Sequence, residues 1–488
     1  MKNKIFITTT LPYANSSPHI GHSFEFIIGD ALSRYYKNKL GHDNVFFNIG
    51  LDEHGLKIQQ ASEKEGIHTQ LFLDNLEQHW KGFCTYFDIK YDNFYRTSSL
   101  VHNKKVQIVW KKQKSEGNIY KKFYRGAYCV GCESFKLEKD LIDGRCPDHA
   151  SIELQDISEE NYFFKLEKFK EHLQKWRREK PDFLFPEKKN AELDNFIENL
   201  QDISVSRNKV VVHWAVPVPD DETQSIYVWF DALLNYVFSV GYDWDLDRFQ
   251  EFWQDGKVIQ ICGPDNLKFQ AVIFQAILAA LEIKNTDHLL VHGTILDKDG
   301  KKMSKTVGNV IDPVDQVKKY GIDAVRYYSL AGLSTFENSN WDENQLISLY
   351  NSHLADNFGN LLARVLHLID IKGIDVDHSL VQNDKRSALL DYEIEKSIRP
   401  LLEKDFNFHE YCNAINSYVK GGNIYINEEK PWEDKPGAEC TLIELHYLLT
   451  RLADLYEPII PNAIKEVKRA LKENKKAIVF KKIQLEKV

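Results

Sequence analysis

The first strong pattern along the chain is an apolar run, Ile5-Phe6-Ile7-Thr8-Thr9-Thr10, which reads as a strand over 4–10. Residues 11–18, rich in proline and small polar side chains, follow as a loop. Apolar residues then recur at helical spacing, at Ile20, Phe24, Ile27, Ile28, Ala31, Leu32 and Tyr35. They predict a helix from about His19 to Leu40, and Gly41 suits its stop. A second strand is predicted over 44–49, running into Gly50-Leu51-Asp52-Glu53-His54-Gly55. Strand, loop, helix and strand open a doubly wound α/β domain, whose parallel sheet binds ligands at the carboxyl ends of its strands.

From about Asn118 to Val216 the pattern gives way to a cysteine cluster and charged, aromatic-rich segments. It then resumes. A strand-like run, Ser225 to Phe230, leads into a predicted helix Asp231–Val240, and Val258 to Cys262 forms a strand ending in Gly263-Pro264-Asp265. Leu289-Leu290-Val291-His292-Gly293 repeats that design. Beyond about Asn340 the periodicity is helical throughout, as in Leu346, Tyr350, Leu354, Phe358, Leu361, Leu362 and Leu366. The chain therefore divides into an α/β domain in two halves, 1–117 and 217–340, an insertion at 118–216, and a helical region at 341–488.

The 488 residues, 43% apolar, suffice for two or three cored domains. The 28 Phe, 23 Tyr and 9 Trp exclude a disordered chain. No apolar run approaches a membrane span, and the N-terminus passes straight into a strand with no leader, so a cytoplasmic location is expected. The net charge of −9 argues against a protein coated in nucleic acid; such a ligand needs local basic surface. Residues 104–125, with eight Lys/Arg and one acid, and 465–487, with nine and three, are candidates. From charge alone each reads as a solvated helix face.

The seven cysteines are odd in number and mostly scattered, which argues against a secreted disulfide framework. Cys129-Val130-Gly131-Cys132 and Cys146-Pro147-Asp148-His149 stand out. Two close ligand pairs separated by a short loop make a tetrahedral Cys₃His set, the pattern of structural zinc. Four protein ligands leave no open position, which disfavours a catalytic metal. The alternative is four metal-free side chains.

Two segments carry candidate phosphate chemistry. Pro18-His19-Ile20-Gly21-His22 lies where a helix begins, and a helix start offers unpaired N–H groups and partial positive charge to phosphate. Asp299-Gly300-Lys301-Lys302-Met303-Ser304-Lys305-Thr306-Val307-Gly308-Asn309 is a glycine-flanked loop whose ammonium groups can follow a polyphosphate. Taken singly, the first also reads as surface histidines and the second as an exposed basic turn.

As a pair, His-Ile-Gly-His and Lys-Met-Ser-Lys are the signatures of class I aminoacyl-tRNA synthetases, and the chain resembles that family over nearly its whole length. It is most similar to the methionyl branch in Leu11-Pro12-Tyr13-Ala14-Asn15, Asp52-Glu53-His54-Gly55, Trp229-Phe230-Asp231-Ala232-Leu233-Leu234-Asn235-Tyr236, Gly263-Pro264-Asp265 and Val291-His292-Gly293. The resemblance implies a Rossmann-like catalytic domain with a zinc-binding insertion, followed by an all-α anticodon-binding domain. It implies activation of methionine by ATP, with Mg²⁺, to methionyl-adenylate and pyrophosphate, and transfer to the terminal adenosine of tRNA(Met). His19, His22, Lys302 and Lys305 are then the catalytic set, and Gly21, Gly263, Asp265 and Ile295 join them in holding ATP. Leu11, Tyr13, Asp52, Trp229, Ala232, Tyr236, Phe269 and Gln270 fall on the methionine pocket, where Asp52 suits the substrate ammonium and the aromatics a thioether. Asn360, Arg364 and Trp432 match positions that meet the CAU anticodon; without the family, Trp432 reads as core and Arg364 as a surface ion pair.

The insertion is too short for the large editing domain of the leucyl, isoleucyl and valyl relatives, which need a second sieve. No further module follows the helical region, so a monomer is expected. The pocket departs from the family at Gln270, where histidine is usual, and at Asn266, where an apolar residue is. Two other readings stay open here: a related synthetase for another small apolar amino acid, and a catalytically silent tRNA-binding relative. The intact histidine and lysine sets speak against the second.

Overall fold

The computed structural model describes residues 4–129, 134–136, 141–147, 152–303, 308–381, 384–433 and 435–484. Strand β1 (Ile5–Thr9) is buried at every position, as an apolar run in the middle of a parallel sheet should be. It pairs in parallel with β2 (Val45–Leu51), and β2 with β3 (Asn93–Arg96). Four strands of the insertion follow in the chain: β4 (Ile119–Cys129), β5 (Ser134–Lys136), β6 (Gln155–Phe164) and, after β7 (Leu184–Phe185), β8 (Ile203–Ser204). They form an antiparallel sheet in the order β5-β4-β6-β8. A two-stranded ribbon of β9 (Ser206–Asn208) and β10 (Gln224–Ile226) leads back to β11 (Lys257–Cys262) and β12 (His288–Val291).

The main sheet has six strands in the order β3-β2-β1-β11-β12-β7, all paired in parallel. The order reverses between β1 and β11, where a doubly wound sheet opens its ligand crevice. β7 lies inside 118–216, yet Leu184 and Phe185 pair with Leu289 and Leu290. The insertion is thus threaded through the edge of the main sheet.

Strand alternation sorts the core into two layers. Ile5, Ile7, Ile259, Ile261 and Leu290 face one cluster; Phe6, Val258, Cys262, Leu289 and Val291 face the other. The first cluster continues through α1 (Ile20–Leu40) into Phe358, Leu361, Tyr411 and Tyr456 of the C-terminal region. That continuity explains why α1 buries Asp30 and Ser33 beside its apolar stripe. Beyond Asn340 every regular element among the described residues is helical, the longest being Phe408–Glu429. No described helix is long and apolar enough to cross a membrane.

The predicted helix start at His19 and stop at Gly41 are where the structure has them, with Gly41 at φ +92°. The strand expected over Ser225–Phe230 is corrected. β10 ends at Ile226, and Val228–Leu233 is a helix opened by extended Tyr227, whose carbonyl accepts from Phe230 N and Asp231 N. Val-Trp-Phe has strand propensity, but tertiary packing overrides so weak a preference. A break at Leu234 separates this helix from Asn235–Ser239, so Trp229 and Tyr236 do not share one continuous helix face.

Candidate active site

His19 caps α1 and His22 sits in its first turn. His19 Nδ1 accepts from Gly21 N at 3.1 Å, and His22 Nδ1 accepts from His19 N at 3.2 Å. With both Nδ1 atoms acting as acceptors of backbone N–H, each neutral ring carries its proton on Nε2. The rings stack with centroids 3.7 Å apart. His22 also meets the edge of Trp80 at 5.0 Å. Burial, with His19 and His292 beside it, holds the His22 imidazole well below its ordinary pKa, so it stays neutral. A β-carbon on Gly21 would lie 3.0 Å from His19 Cε1, so glycine keeps this turn tight. The result is two N–H donors beside a helix start, in the crevice at the end of β1.

Behind them, Glu25 joins three elements. Its Oε1 accepts from Thr10 N at 2.7 Å and Thr10 Oγ1 at 2.5 Å, and its Oε2 lies 3.0 Å from His292 Nε2. The carboxylate thereby fixes α1 against the ends of β1 and β12. Sequence reasoning missed Glu25. Its only signal is an acid in an otherwise apolar stretch of helix. Gly293, next to His292, has no room for a side chain: a β-carbon would lie 1.9 Å from Glu337 O.

The residues expected to line the methionine pocket come from neighbouring elements. Tyr13 and Asp52 form an isolated parallel bridge, with Ala14 N donating to Asp52 O at 2.8 Å and Asp52 N to Pro12 O at 3.0 Å. Leu11 belongs to the same loop, and Asp52 is buried. Trp229 and Phe269 stack with centroids 3.8 Å apart and planes 11° apart. Ala232, Tyr236 and Gln270 are buried. Gln270 Nε2 donates to Tyr236 Oη at 2.6 Å, and its Oε1 accepts from Gln260 at 3.1 Å. Asn266 ends a short 3₁₀ turn begun by Pro264.

His54 Nδ1 lies 2.6 Å and His102 Nε2 2.5 Å from the two oxygens of Asp231, and Tyr95 Oη lies 2.9 Å from His102 Nδ1. His54 thereby ties the Asp52 segment to the Trp229 helix, and His102, held by Tyr95 of β3, ties the helix Leu100–Ser115 to the same carboxylate. Burial alone would raise the Asp231 pKa, but the two imidazoles overcome it and hold the carboxyl at about 2. No role for Asp231 or His102 was legible in the sequence.

The lysine-rich loop leaves the short strand Ile295–Leu296, whose Ile295 is buried. Asp297 anchors its stem by accepting from Asp299 N, Lys301 N and Asn309 Nδ2 at 3.0, 2.8 and 2.6 Å. Lys302 Nζ, exposed, lies 3.1 Å from exposed Asp265 Oδ2, two residues past Gly263. The structure therefore brings one lysine of the Lys-Met-Ser-Lys motif to the loop after β11. Lys305 lies outside the described residues.

In the insertion, Cys129 ends β4 opposite Ser134 of the β4–β5 hairpin, and Cys146 follows the Ile142–Arg145 bridge. Both are fully buried. Cys132 and His149 lie outside the described residues, and no group of three metal-ligating side chains occurs among the described ones. In the helical region, Asn360 is exposed on the helix Gly359–Lys372. Arg364, one turn on, donates to Asn427 at 2.7 Å and lies 5.7 Å from the Trp432 ring centroid. Trp432 is 44% exposed, so it is not a core residue.

A family profile described as tRNA synthetases class I (M) matches residues 5–158 and 153–366. A methionine–tRNA ligase of Fusobacterium nucleatum is 35% identical over 483 residues, covering 96% of this chain and 75% of that protein. One from Rickettsia prowazekii is 32% identical over 493 residues, covering 99% and 95%. A solved Mycobacterium tuberculosis methionyl-tRNA synthetase in complex with methionyl-adenylate superposes with a TM-score of 0.87 at 28% identity, covering 96% of this chain and 93% of that one.

Proposed function

The chain belongs to the class I tRNA synthetases of the methionyl type, and on that premise we propose how its residues divide the work of activating methionine and charging tRNA. The methionine carboxylate attacks the α-phosphorus of ATP, forming methionyl-adenylate and releasing pyrophosphate. The carboxylate is already ionised, so this step needs positioning and charge stabilisation more than a base. His19 and His22 donate Nε2–H to phosphate oxygens as charge builds on them. The observation that carries this role is the stacked pair with both Nδ1 atoms tied to backbone N–H.

Lys302 and Lys305 take the departing pyrophosphate. Lys302 exchanges its Asp265 partner for phosphate as the loop closes. Gly21, Gly263, Asp265 and Ile295 hold the rest of ATP, and Mg²⁺ enters with it. Leu11, Tyr13, Asp52, Trp229, Ala232, Tyr236, Phe269 and Gln270 form the methionine pocket, with the Trp229–Phe269 stack supplying an apolar, polarizable wall. In the second step the 2′-OH of the terminal tRNA adenosine attacks the adenylate carbonyl and AMP leaves.

Cys129, Cys132, Cys146 and His149 hold one structural zinc, which stiffens the insertion over the acceptor end of tRNA. The burial of Cys129 and Cys146 at a hairpin and a tight turn suits thiolate ligands. The helical region at 341–488 reads the CAU anticodon through Asn360, Arg364 and Trp432. The exposed Trp432 ring beside the Arg364 guanidinium offers the stacking surface that unpaired bases need. The protein acts as a cytoplasmic monomer in this reading, which sedimentation and cell fractionation test.

Amino-acid-dependent ATP–pyrophosphate exchange tests the whole scheme. Exchange is expected with methionine above all other amino acids, and its absence with methionine would overturn the reading.

A further inference from the structure

Gln270, Gln260, Thr286 and Gln275 form a chain of side-chain hydrogen bonds whose direction is set at its far end by the backbone. Gln275 Oε1 accepts from Thr286 N at 3.0 Å, and Gln275 Nε2 donates to Gln270 O at 2.9 Å. A backbone N–H can only donate and a backbone carbonyl only accept, so the Gln275 amide has one allowed orientation. Its Nε2 also donates to Thr286 Oγ1 at 3.1 Å. The Thr286 hydroxyl therefore spends its proton on Gln260 Oε1, 2.8 Å away. That leaves Gln260 Nε2 to donate to Gln270 Oε1 at 3.1 Å, and Gln270 Nε2 to donate to Tyr236 Oη at 2.6 Å. All five side chains are buried, so no solvent competes for these bonds. At the near end, Tyr236 Oη receives a hydrogen bond from Gln270. Among the described residues Tyr236 Oη donates to nothing.

We infer that this relay holds Tyr236 as a hydrogen-bond donor toward the amino-acid pocket, making Gln260, Thr286 and Gln275 positioning residues for selection of a side chain with an acceptor atom. The inference rests on the reading that Tyr236 lines the methionine pocket. A thioether sulfur is a weak acceptor, and a methylene in its place leaves the buried hydroxyl unsatisfied. Burial keeps the phenol protonated, so the donor is present at every working pH. Glutamine has no titrating proton, so the polarity of the relay does not change with pH. Where Thr286 is lost, Gln260 and Gln270 are free to turn over, and Gln270 Oε1 then takes the Tyr236 proton away from the pocket.

The test is ATP–pyrophosphate exchange with methionine and with norleucine, which carries CH₂ in place of sulfur, read as the ratio of their kcat/KM values. Thr286→Val, of the same shape without the hydroxyl, is expected to lower that ratio about fivefold, the scale of one hydrogen bond. Thr286→Ser is expected to keep it. General damage to the fold lowers both values together and leaves the ratio alone. If Thr286→Val does not fold, Gln260→Met breaks the relay one link nearer the pocket and is expected to give the same drop. Tyr236→Phe separates the two ideas. A reduced ratio in Tyr236→Phe with an unchanged ratio in Thr286→Val overturns the relay and leaves the pocket standing. An unchanged ratio in Tyr236→Phe overturns the placement of Tyr236 and the relay with it.

Discussion

Arg326 Nη2 lies 2.7 Å from Asp30 Oδ2, and both side chains are fully buried. Asp30 belongs to α1, the helix that begins with His19. Arg326 belongs to Ile322–Tyr327 and also donates to the carbonyls of Phe87, Pro458 and Ile459. Asp30 accepts in addition from Lys90 N at 2.8 Å. The pair thus ties α1 to the segment before β3 and to the C-terminal helices. Removing Asp30 leaves the buried Arg326 guanidinium without its ion-pair partner, held by carbonyls alone, at a cost of about 3–5 kcal/mol. Asp30→Ala is expected to lose that much in urea unfolding. A loss of about 1 kcal/mol or less, the scale of an exposed pair, would contradict this account.

The neutral His22 gives a pH signature. Its imidazole is held well below the ordinary value of 6.5 by burial first, then by His19 and His292. Below about that pH the unfolded chain binds a proton that the folded chain refuses, so stability falls as pH drops through this window. Above it both states are neutral and the term vanishes. His22→Gln removes the term. The stability of wild type relative to His22→Gln should therefore decline between pH 7.5 and 5.5, measured by urea midpoints. A constant difference would mean that His22 takes up its proton normally in the fold.

The parts of the fold that were legible in the sequence are those whose pattern repeats. The α1 stripe from Ile20 to Tyr35 fixed a helix and its cap, and the buried runs of β1, β11 and β12 announced a parallel sheet. Local signals failed where packing decides. Leu184–Phe185 is too short to announce a strand, yet it closes the sheet edge. Val228-Trp229-Phe230 has strand composition but turns into a helix. The site divides in the same way. His19, His22 and Lys302 sit in contiguous motifs, whereas Glu25 and His292 meet across 267 positions. Gln270 looked like a departure from the family. Its partners Tyr236 and Gln260 became visible only in three dimensions, since no spacing links them.

Lys305→Ala separates binding from chemistry. If Lys305 meets pyrophosphate only as it departs, its loss should slow adenylate formation about a hundredfold, the effect of deleting one transition-state donor. Methionine affinity, read by fluorescence titration or calorimetry, should stay within about twofold, since a group met only in the transition state adds no ground-state binding. Equal losses in rate and affinity would place the lysine in ground-state binding instead.

The zinc proposed for the insertion makes a direct prediction. Purified protein should carry about one zinc per chain by elemental analysis, as a closed four-ligand site does. Cys146→Ser should lose it and become more protease-sensitive within 118–216, while pyrophosphate exchange falls less than tRNA charging. Metal-free wild-type protein with full charging activity would remove zinc from the account.

Trp432 tests whether the helical region reads tRNA. Its ring is 44% exposed and lies beside Arg364, whose guanidinium is steadied by Asn427. Stacking of one base on an aromatic ring is worth about 1–3 kcal/mol. Trp432→Ala should therefore raise the KM for tRNA by roughly 5- to 150-fold on that scale. Pyrophosphate exchange, which needs no tRNA, should be untouched, because the ring supports no core. Arg364→Ala should act in the same direction, and the double variant should cost less than the sum, since the two side chains share one surface. Equal damage to both assays would instead make Trp432 a structural residue of the helical region.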